Sequence, residues 1–300
     1  MKIEMDKEKP LLVTQTIDHP RQSVFGNFLS VFMENKAAVV GGLIILFYIF
    51  IAVFAPVLAP YHPHDINLDN KLIPPSMEHW MGTDDKGRDI LSRILYGSRL
   101  SMGVGFAAVI FGGFFGITLG LIAGYYGKWL DTIIMRCMDV LLAFPGILLA
   151  LAIVSALGPS LINVTIAVGA FSVPLFARIV RGSTLEVKQL EYIDAIRSLG
   201  ARDGTIIFKH ILPNILSPII VQGTLRVATA ILSAAGLSFL GLGAQPPSSE
   251  WGTMLSSGRD FLFTAPYIAI FPGLAIAFLV LGFNIFGDGL RDAFDPRMKK

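Results

Sequence analysis

The chain has 300 residues, 53% of them hydrophobic and only 15% charged; a soluble domain carries about a quarter charged residues, so composition excludes an ordinary soluble fold. A net charge of +2 gives no case for nucleic acid as a partner, and a single cysteine rules out an intrachain disulfide framework.

Residues 1–36 contain no long apolar run. Phe25, Phe28, Leu29, Phe32 and Met33 recur at helical spacing, which predicts a short amphipathic helix lying on the inner leaflet. Six apolar runs follow, over 37–59, 100–125, 132–157, 161–181, 214–242 and 264–287. Each reaches or exceeds the roughly 20 residues a helix needs to cross a bilayer. Backbone groups within lipid must be satisfied internally, so helices are expected throughout. The fold class is therefore an all-α, polytopic membrane protein with six transmembrane helices. The first run is too long and starts too late for a cleaved signal peptide and reads as a retained anchor.

Lys and Arg counts set the expected orientation. With the N-terminus inside, the inner segments hold 16 basic residues and the outer ones 5. That bias predicts both termini in the cytoplasm. The organisation is then a cytoplasmic segment 1–36, a first helix 37–59, an external loop 60–99, a core 100–290 and a tail 291–300. Loop 182–213 within the core is cytoplasmic.

In the external loop, Asp84 to Gly87 has turn chemistry, and Asp89 or Asp85 is suited to cap the following helix. Its acidic residues lack the spacing of a calcium loop, and His62, His64 and His79 read as plain surface residues. No metal site is expected. The second span carries Gly112, Gly116, Gly120 and Gly124. Their spacing puts all four on one helix face, where another helix can approach closely. The third span opens with Asp131, Arg136 and Asp139, and Arg136 and Asp139 are spaced to pair on one face. Cys137 lies in an apolar run and reads as a buried structural thiol. Pro145 is expected to interrupt or kink this span. In the fifth span Arg226 falls near the membrane midplane. An ionisable residue there must face water or a partner, either on the transport path or in an ion pair with a neighbouring subunit.

Loop 182–213 holds the most informative local pattern. Leu190, Ile193, Ile196 and Leu199 form an apolar stripe at helical spacing. Gly200 is suited to end that helix in a left-handed cap. Asp203 is suited to cap a second short helix through Phe208 and Lys209, which Leu212-Pro213 then stops, opening the fifth span. Ala195 and Gly200 are small enough for close approach, and Asp194 and Arg197 can fix register by charge. Read physically, the loop either docks a partner or packs on its own chain. Catalytic signatures are missing: there is no Gly-x-x-x-x-Gly-Lys-Ser/Thr phosphate loop, no Gly-x-Ser-x-Gly elbow, no His-Glu-x-x-His helix and no histidine within any span.

The loop resembles the EAA loop of binding-protein-dependent ABC importer permeases. Asp194 stands in the Glu position, Ala195 in the first Ala position and Ile196 in the second. Gly200 and Leu212-Pro213 match as well, while His210 stands where the consensus has Ile. His79-Trp80-Met81-Gly82-Thr83-Asp84-Asp85-Lys86-Gly87-Arg88-Asp89 with Ser92-Arg93 is similar to the entry segment of dipeptide/oligopeptide permease C subunits. So are Leu237-Ser238-Phe239-Leu240-Gly241-Leu242-Gly243, Pro246-Pro247, Glu250-Trp251-Gly252, Gly287-Asp288-Gly289-Leu290-Arg291-Asp292 and Asp295-Pro296. The matches run from about residue 25 to 298.

The resemblance implies a type I ABC importer permease fold in a bacterial inner membrane. It implies a complex of this C-type subunit, a related B-type permease, two ATPases and an external solute-binding protein. ATP and Mg2+ would sit in the ATPases, with no cofactor in this chain. It implies ATPase docking by Glu191, Asp194, Ala195, Arg197, Gly200, Ala201, Asp203 and Pro213, and peptide import by alternating access. Nickel, glutathione or a sugar oligomer are alternative cargoes of the same architecture; a stand-alone secondary transporter or channel is the reading from another class. Many members carry an acidic residue just before the Ala-x-Leu-Ser-Phe-Leu-Gly stretch, where this chain has Ala234. The expectation is a less negative cavity in which Arg226 meets a cargo carboxylate.

Overall fold

Asn35 opens the first membrane helix: its side chain accepts the Ala38 N–H at 3.1 Å and caps α1, Lys36–Leu58. The structure is a computed structural model that describes residues 33–294. The amphipathic segment expected from Phe25 to Phe32, and Asp295-Pro296, lie outside the described residues. After α1 the chain forms an irregular loop with one short 3-10 turn, Leu68–Asn70. Asp89 then caps α2, Ile90–Tyr126, by accepting the Ser92 N–H at 2.7 Å. This helix begins ten residues before the expected span, because its first turns are amphipathic and pack beneath the loop rather than in the apolar run.

The expected third span is two helices, α3 (Lys128–Ala143) and α4 (Gly146–Leu157), bent by 91°. Pro145 is the cause. It lacks an N–H and disfavours helical backbone in the residue before it, and Phe144 is extended (φ −87°, ψ 137°). The remaining long helices are α5 (Leu161–Lys188), α7 (Leu216–Phe239) and α9 (Tyr267–Phe294). The short α6 (Glu191–Ser198) and a helical segment over 203–214 separate α5 from α7, and α8 (Trp251–Gly258) precedes α9. Among the described residues five helices are long and apolar enough to cross a membrane, or six if the bent pair is one span. Among the described residues the one strand-like feature is an isolated bridge between Thr83 and Asp89.

The most extensive helix pairing is α2 against α5, and glycine makes it possible. A Cβ on Gly112 would lie 2.6 Å from the Gly169 carbonyl; on Gly116, 2.6 Å from that of Val173; on Gly120, 2.6 Å from that of Ala177. Gly124 faces Thr184 in the same way. Helices in lipid associate by close packing rather than by the hydrophobic effect, so small residues at the crossing are the main device. A second crossing of this kind joins α1 to α9, where Gly41 lies against the backbone of Gly282 and Phe286, and Gly289 against Ala38. Its irregular spacing hides it from a reading of sequence.

Around these crossings the buried side chains form separate clusters. The largest joins α1, α2, α7, α8 and α9 and includes Tyr48, Met102, Ile231, Trp251 and Leu279. Trp251 is fully buried, and its Nε1 donates to the Ile94 carbonyl at 3.0 Å. Glu250 starts α8 by accepting the Gly252 and Thr253 N–H groups at 3.0 and 2.9 Å.

Side-chain pairing corrects two expectations. Arg136 and Asp139 do not pair. Asp139 takes Arg178 of α5 at 2.8 Å, and Asp131 takes Arg181 through two bonds of 2.5 and 2.7 Å. Packing of α3 on α5 brings complementary charges closer across helices than along one. Cys137 is exposed on α3 rather than buried. A third correction lies in the 60–89 loop: His79 is buried, with its Nδ1 2.9 Å from Asp89 Oδ1 and its ring 4.8 Å from that of Tyr61.

Candidate functional site

The hairpin formed by α6 and the 203–214 segment stands at the end of the bundle that holds the C-terminus of α2. Glu191 and Asp194 lie in the first turn of α6 and Arg197 in its last, matching the helix dipole. The helix stops at Gly200, where φ is +84°. The Gly200 N–H bonds the Arg197 carbonyl at 2.9 Å and the Ala201 N–H that of Ile196 at 3.3 Å. This double bond pattern is a Schellman stop, and its left-handed residue is almost always glycine.

The second arm differs from expectation. Asp203 does not cap a helix: Asp203–Thr205 forms one turn with no side-chain cap. Ile206–Ile211 then winds as a π-helix, and Leu212–Asn214 closes the arm. The Leu212 N–H reaches back five residues to the Ile207 carbonyl. Pro213, which follows directly, has no N–H to continue the ladder, and the wider turn absorbs the break. Leu212-Pro213 therefore does not open α7, which starts at Leu216 after Ile215 bonds back to Ile211 and Leu212.

The apolar stripe of α6 divides between two faces. Ile193 is fully buried and joins Ile206, Ile207, Ile211 and Ile215 against Leu121, Tyr125 and Val180. Each such side chain contributes about 1.5–3 kcal/mol on burial, enough to hold the hairpin on the bundle. Leu190 and Tyr192 are exposed, Leu199 is 88% exposed and Phe208 68%. Glu191, Asp194, Ala195, Arg197 and Pro213 also stand at the surface. A Cβ on Gly200 would meet nothing within 4 Å, so space beside the turn is open. Asp194 and Arg197 pair with each other at 2.9 Å. Ala201 packs at the edge of the buried cluster. The Asp203 carboxylate turns towards the bundle and accepts the Tyr125 O–H at 2.6 Å. Tyr125 and Tyr192 are residues the sequence reading left out of this site, and Leu199 and Phe208 entered it only as helix positions, not as exposed apolar side chains. A tyrosine at the very end of a long span was the available signal for the first.

Arg226 is half-way along α7, about 15 Å from its start at 1.5 Å per residue. Its Nε is buried without a hydrogen-bond partner, and no carboxylate reaches it among the described residues. Gln222 precedes it and Thr229 and Ser233 follow it at helical spacing, so one side of a membrane-crossing helix is polar. Gln222 lines a groove of about 490 Å³ with Ser217, Pro218, Val221, Leu225 and Arg291. The hairpin and Arg226 are thus separate places on the chain. Among the described residues no three His, Cys, Asp or Glu side chains cluster to hold a metal ion.

Comparison with known proteins places the chain in a family. Residues 116–300 match the family model of the binding-protein-dependent transport system inner membrane component, and residues 23–75 match the N-terminal transmembrane domain of oligopeptide transport permease C. A dipeptide transport system permease protein of Alkalihalophilus pseudofirmus is 56% identical, covering 89% of this chain and 88% of the relative. A glutathione transport system permease protein of Pectobacterium atrosepticum is 50% identical over 98% of both chains. A chain of the inward-facing MetNI methionine ABC transporter shares the fold, with a TM-score of 0.56 over 69% of this chain and 98% of that one, at 19% identity. The chain therefore belongs to the family of binding-protein-dependent transport system inner membrane components, as a membrane-spanning permease of an ABC importer.

Proposed function

We propose that this permease imports short peptides, and that the hairpin at 190–214 is where an ATPase subunit docks. The exposed Leu199 and Phe208 carry the docking reading. Large apolar side chains at the tip of a short charged element leave a surface that a partner's groove would cover. Glu191, Asp194, Ala195, Arg197, Gly200, Ala201 and Pro213 form the rest of the docking element, while Asp203, expected there from the resemblance, turns its carboxylate inward to Tyr125. Two ATPases would hold ATP and Mg2+. A related B-type permease would complete the pathway, and an external solute-binding protein would deliver cargo. The excess of basic residues on the hairpin side supports both termini in the cytoplasm, where ATP is available.

Closure of the ATPase pair would draw the docked hairpins together and turn the cavity outward; hydrolysis would return it inward. The names of the two relatives support cargo made of amino acids with a free carboxylate, dipeptide or glutathione. Arg226 is the residue in this chain suited to meet that carboxylate. It lies on a polar helix side, and its Nε has no partner of its own. The glycines at 112, 116, 120 and 124 serve packing rather than transport chemistry.

Replacing Gly200 by Trp tests the docking reading. The expected outcome is correct membrane insertion with no ATPase recovered on purification; normal recovery would remove the docking assignment. Calorimetric titration of the binding protein with dipeptides, longer peptides, glutathione and nickel complexes decides the cargo. Arg226→Ala is expected to slow transport of carboxylate-bearing cargo in reconstituted vesicles, and unchanged, coupled transport would rule out its role.

A further inference from the structure

Tyr125 is the last residue but one of α2 and follows Gly124, where the glycine seam ends. It is 5% exposed, yet three elements of the hairpin end converge on it. The Lys188 ammonium, at the end of α5, donates to the Tyr125 carbonyl and lies 5.5 Å from its ring centroid. The Arg197 guanidinium of α6 lies 6.0 Å from the same ring. Asp203, the first residue of the second arm, accepts the Tyr125 O–H at 2.6 Å. Phenylalanine would fill the same apolar cluster, so the hydroxyl does something that packing does not need.

The rest of the hairpin is attached mainly by isoleucines. Apolar contact is non-directional and tolerates sliding. A hydrogen bond to a carboxylate is short, strong and directional. It is made where the chain between the Gly200 turn and the π-helical arm is otherwise surface-exposed. Through Gly124 and Thr184, the same end of α2 is locked against α5. We propose that Tyr125 is a positioning residue that pins the hairpin to the α2–α5 pair, so that displacement of the hairpin moves both helices as one body. This rests on the docking reading above.

The test uses the whole importer reconstituted in vesicles with its binding protein. ATPase recovery and cargo transported per ATP hydrolysed are both measured for Tyr125→Phe, Asp203→Ala, Asp203→Asn and the Tyr125→Phe/Asp203→Ala pair. Recovery stays at the wild-type level in all four. Transport per ATP falls about tenfold in Tyr125→Phe and in Asp203→Ala, the factor expected for one hydrogen bond to a charged group. The double variant is no worse than either single one, and Asp203→Asn, which keeps an acceptor oxygen but not its charge, falls less than Asp203→Ala. A normal transport ratio in either single variant, or a double variant with multiplied losses, overturns the proposal. Loss of ATPase recovery in Tyr125→Phe also overturns it, because the hydroxyl then only maintains the hairpin's fold. Loss in Asp203→Ala alone does the same by assigning Asp203 to the ATPase interface. Normal recovery with Gly200→Trp would instead defeat the docking reading, whatever Tyr125 does.

Discussion

In the 60–89 loop and the first turns of α2, Asp84, Arg88, Asp89 and Arg93 are each no more than 4% exposed. In the 190–214 hairpin, Glu191, Asp194, Arg197 and Asp203 all stand at the surface. The loop completes its own polar chemistry. Arg88 Nε donates to Asp84 at 2.7 Å, Arg93 lies 3.7 Å from the same carboxylate, and Arg93 also donates to the Ser248 carbonyl at 2.9 Å. Asp84 further accepts the Lys86 and Arg88 N–H groups at 2.9 and 3.0 Å. The hairpin turns Leu199 and Phe208 outward and leaves the space beside Gly200 empty. Both regions are short, charged and rich in turn residues, and by composition they look alike. They differ in where those charges are paired: in the loop they are shielded from solvent, while in the hairpin they stay at the surface beside exposed apolar side chains. A buried network holds a loop rigid; an exposed apolar tip is what the proposed docking would cover.

That contrast is open to direct attack. The largest effect is expected from Arg88→Ala, which leaves Asp84 buried with its closest cation removed. Breaking a buried pair from one side costs about 3–5 kcal/mol. Thermal unfolding of the purified complex should drop markedly and protease should cut within 60–89, while the protein that survives still binds ATPase. Wild-type melting would mean that the loop is not held by this network.

Phe208→Ala should behave in the opposite sense. An exposed residue away from special features changes stability by only about 0.5 kcal/mol, so melting of the isolated permease stays put. A central aromatic anchor of an interface is worth about 2 kcal/mol or more, so ATPase association weakens at least tenfold. A variant that melts early yet binds normally would make Phe208 a fold residue and erase the distinction between the two regions.

The smallest effect concerns His64, beside the buried network. Its imidazole, though it stands at the surface, is held below the ordinary value of 6.5, first by partial desolvation and then by the positive charge of Arg93, with His62 and Arg88 adding to it. The folded chain thus takes up this proton less readily than the unfolded one. Its contribution is complete above about 6.5 and is lost as pH falls through the folded value. The melting curves of wild type and His64→Gln should coincide at pH 8, and wild type should fall slightly below the variant as pH drops under 6.5. A difference that does not change with pH would show that His64 carries no such penalty.

The amino-acid sequence was informative wherever neighbours along the chain set the geometry. The left-handed stop at Gly200, the cap at Asp89 and the break at Pro145 follow from single residues with fixed conformational preferences. The register of Gly112, Gly116, Gly120 and Gly124 follows from helical period. Lengths of apolar runs gave the spans, because lipid leaves the backbone few alternatives. The misreadings came where one residue type fits two surroundings. His79 reads as a loop histidine until Asp89 and Tyr61 are seen around it. Asp139 was matched with Arg136 because sequence shows partners along one helix, while Arg178 approaches from another. Asp203 has the residue type of a helix cap and serves instead as the acceptor for Tyr125.

Sequence by itself thus determined that this chain lives in a membrane as helices, where single glycines and prolines stop or break them, and, through its local motifs, which family it belongs to. These depend on composition, on period and on the conformations open to glycine and proline. Tertiary structure alone decided which charges are buried in pairs, which apolar residues of the hairpin face outward, and that Tyr125 ties the hairpin to α2. Those outcomes depend on which side chains from distant segments come within bonding distance, and a hydrogen bond of 2.6 Å between residues 78 apart leaves no periodic trace in the chain.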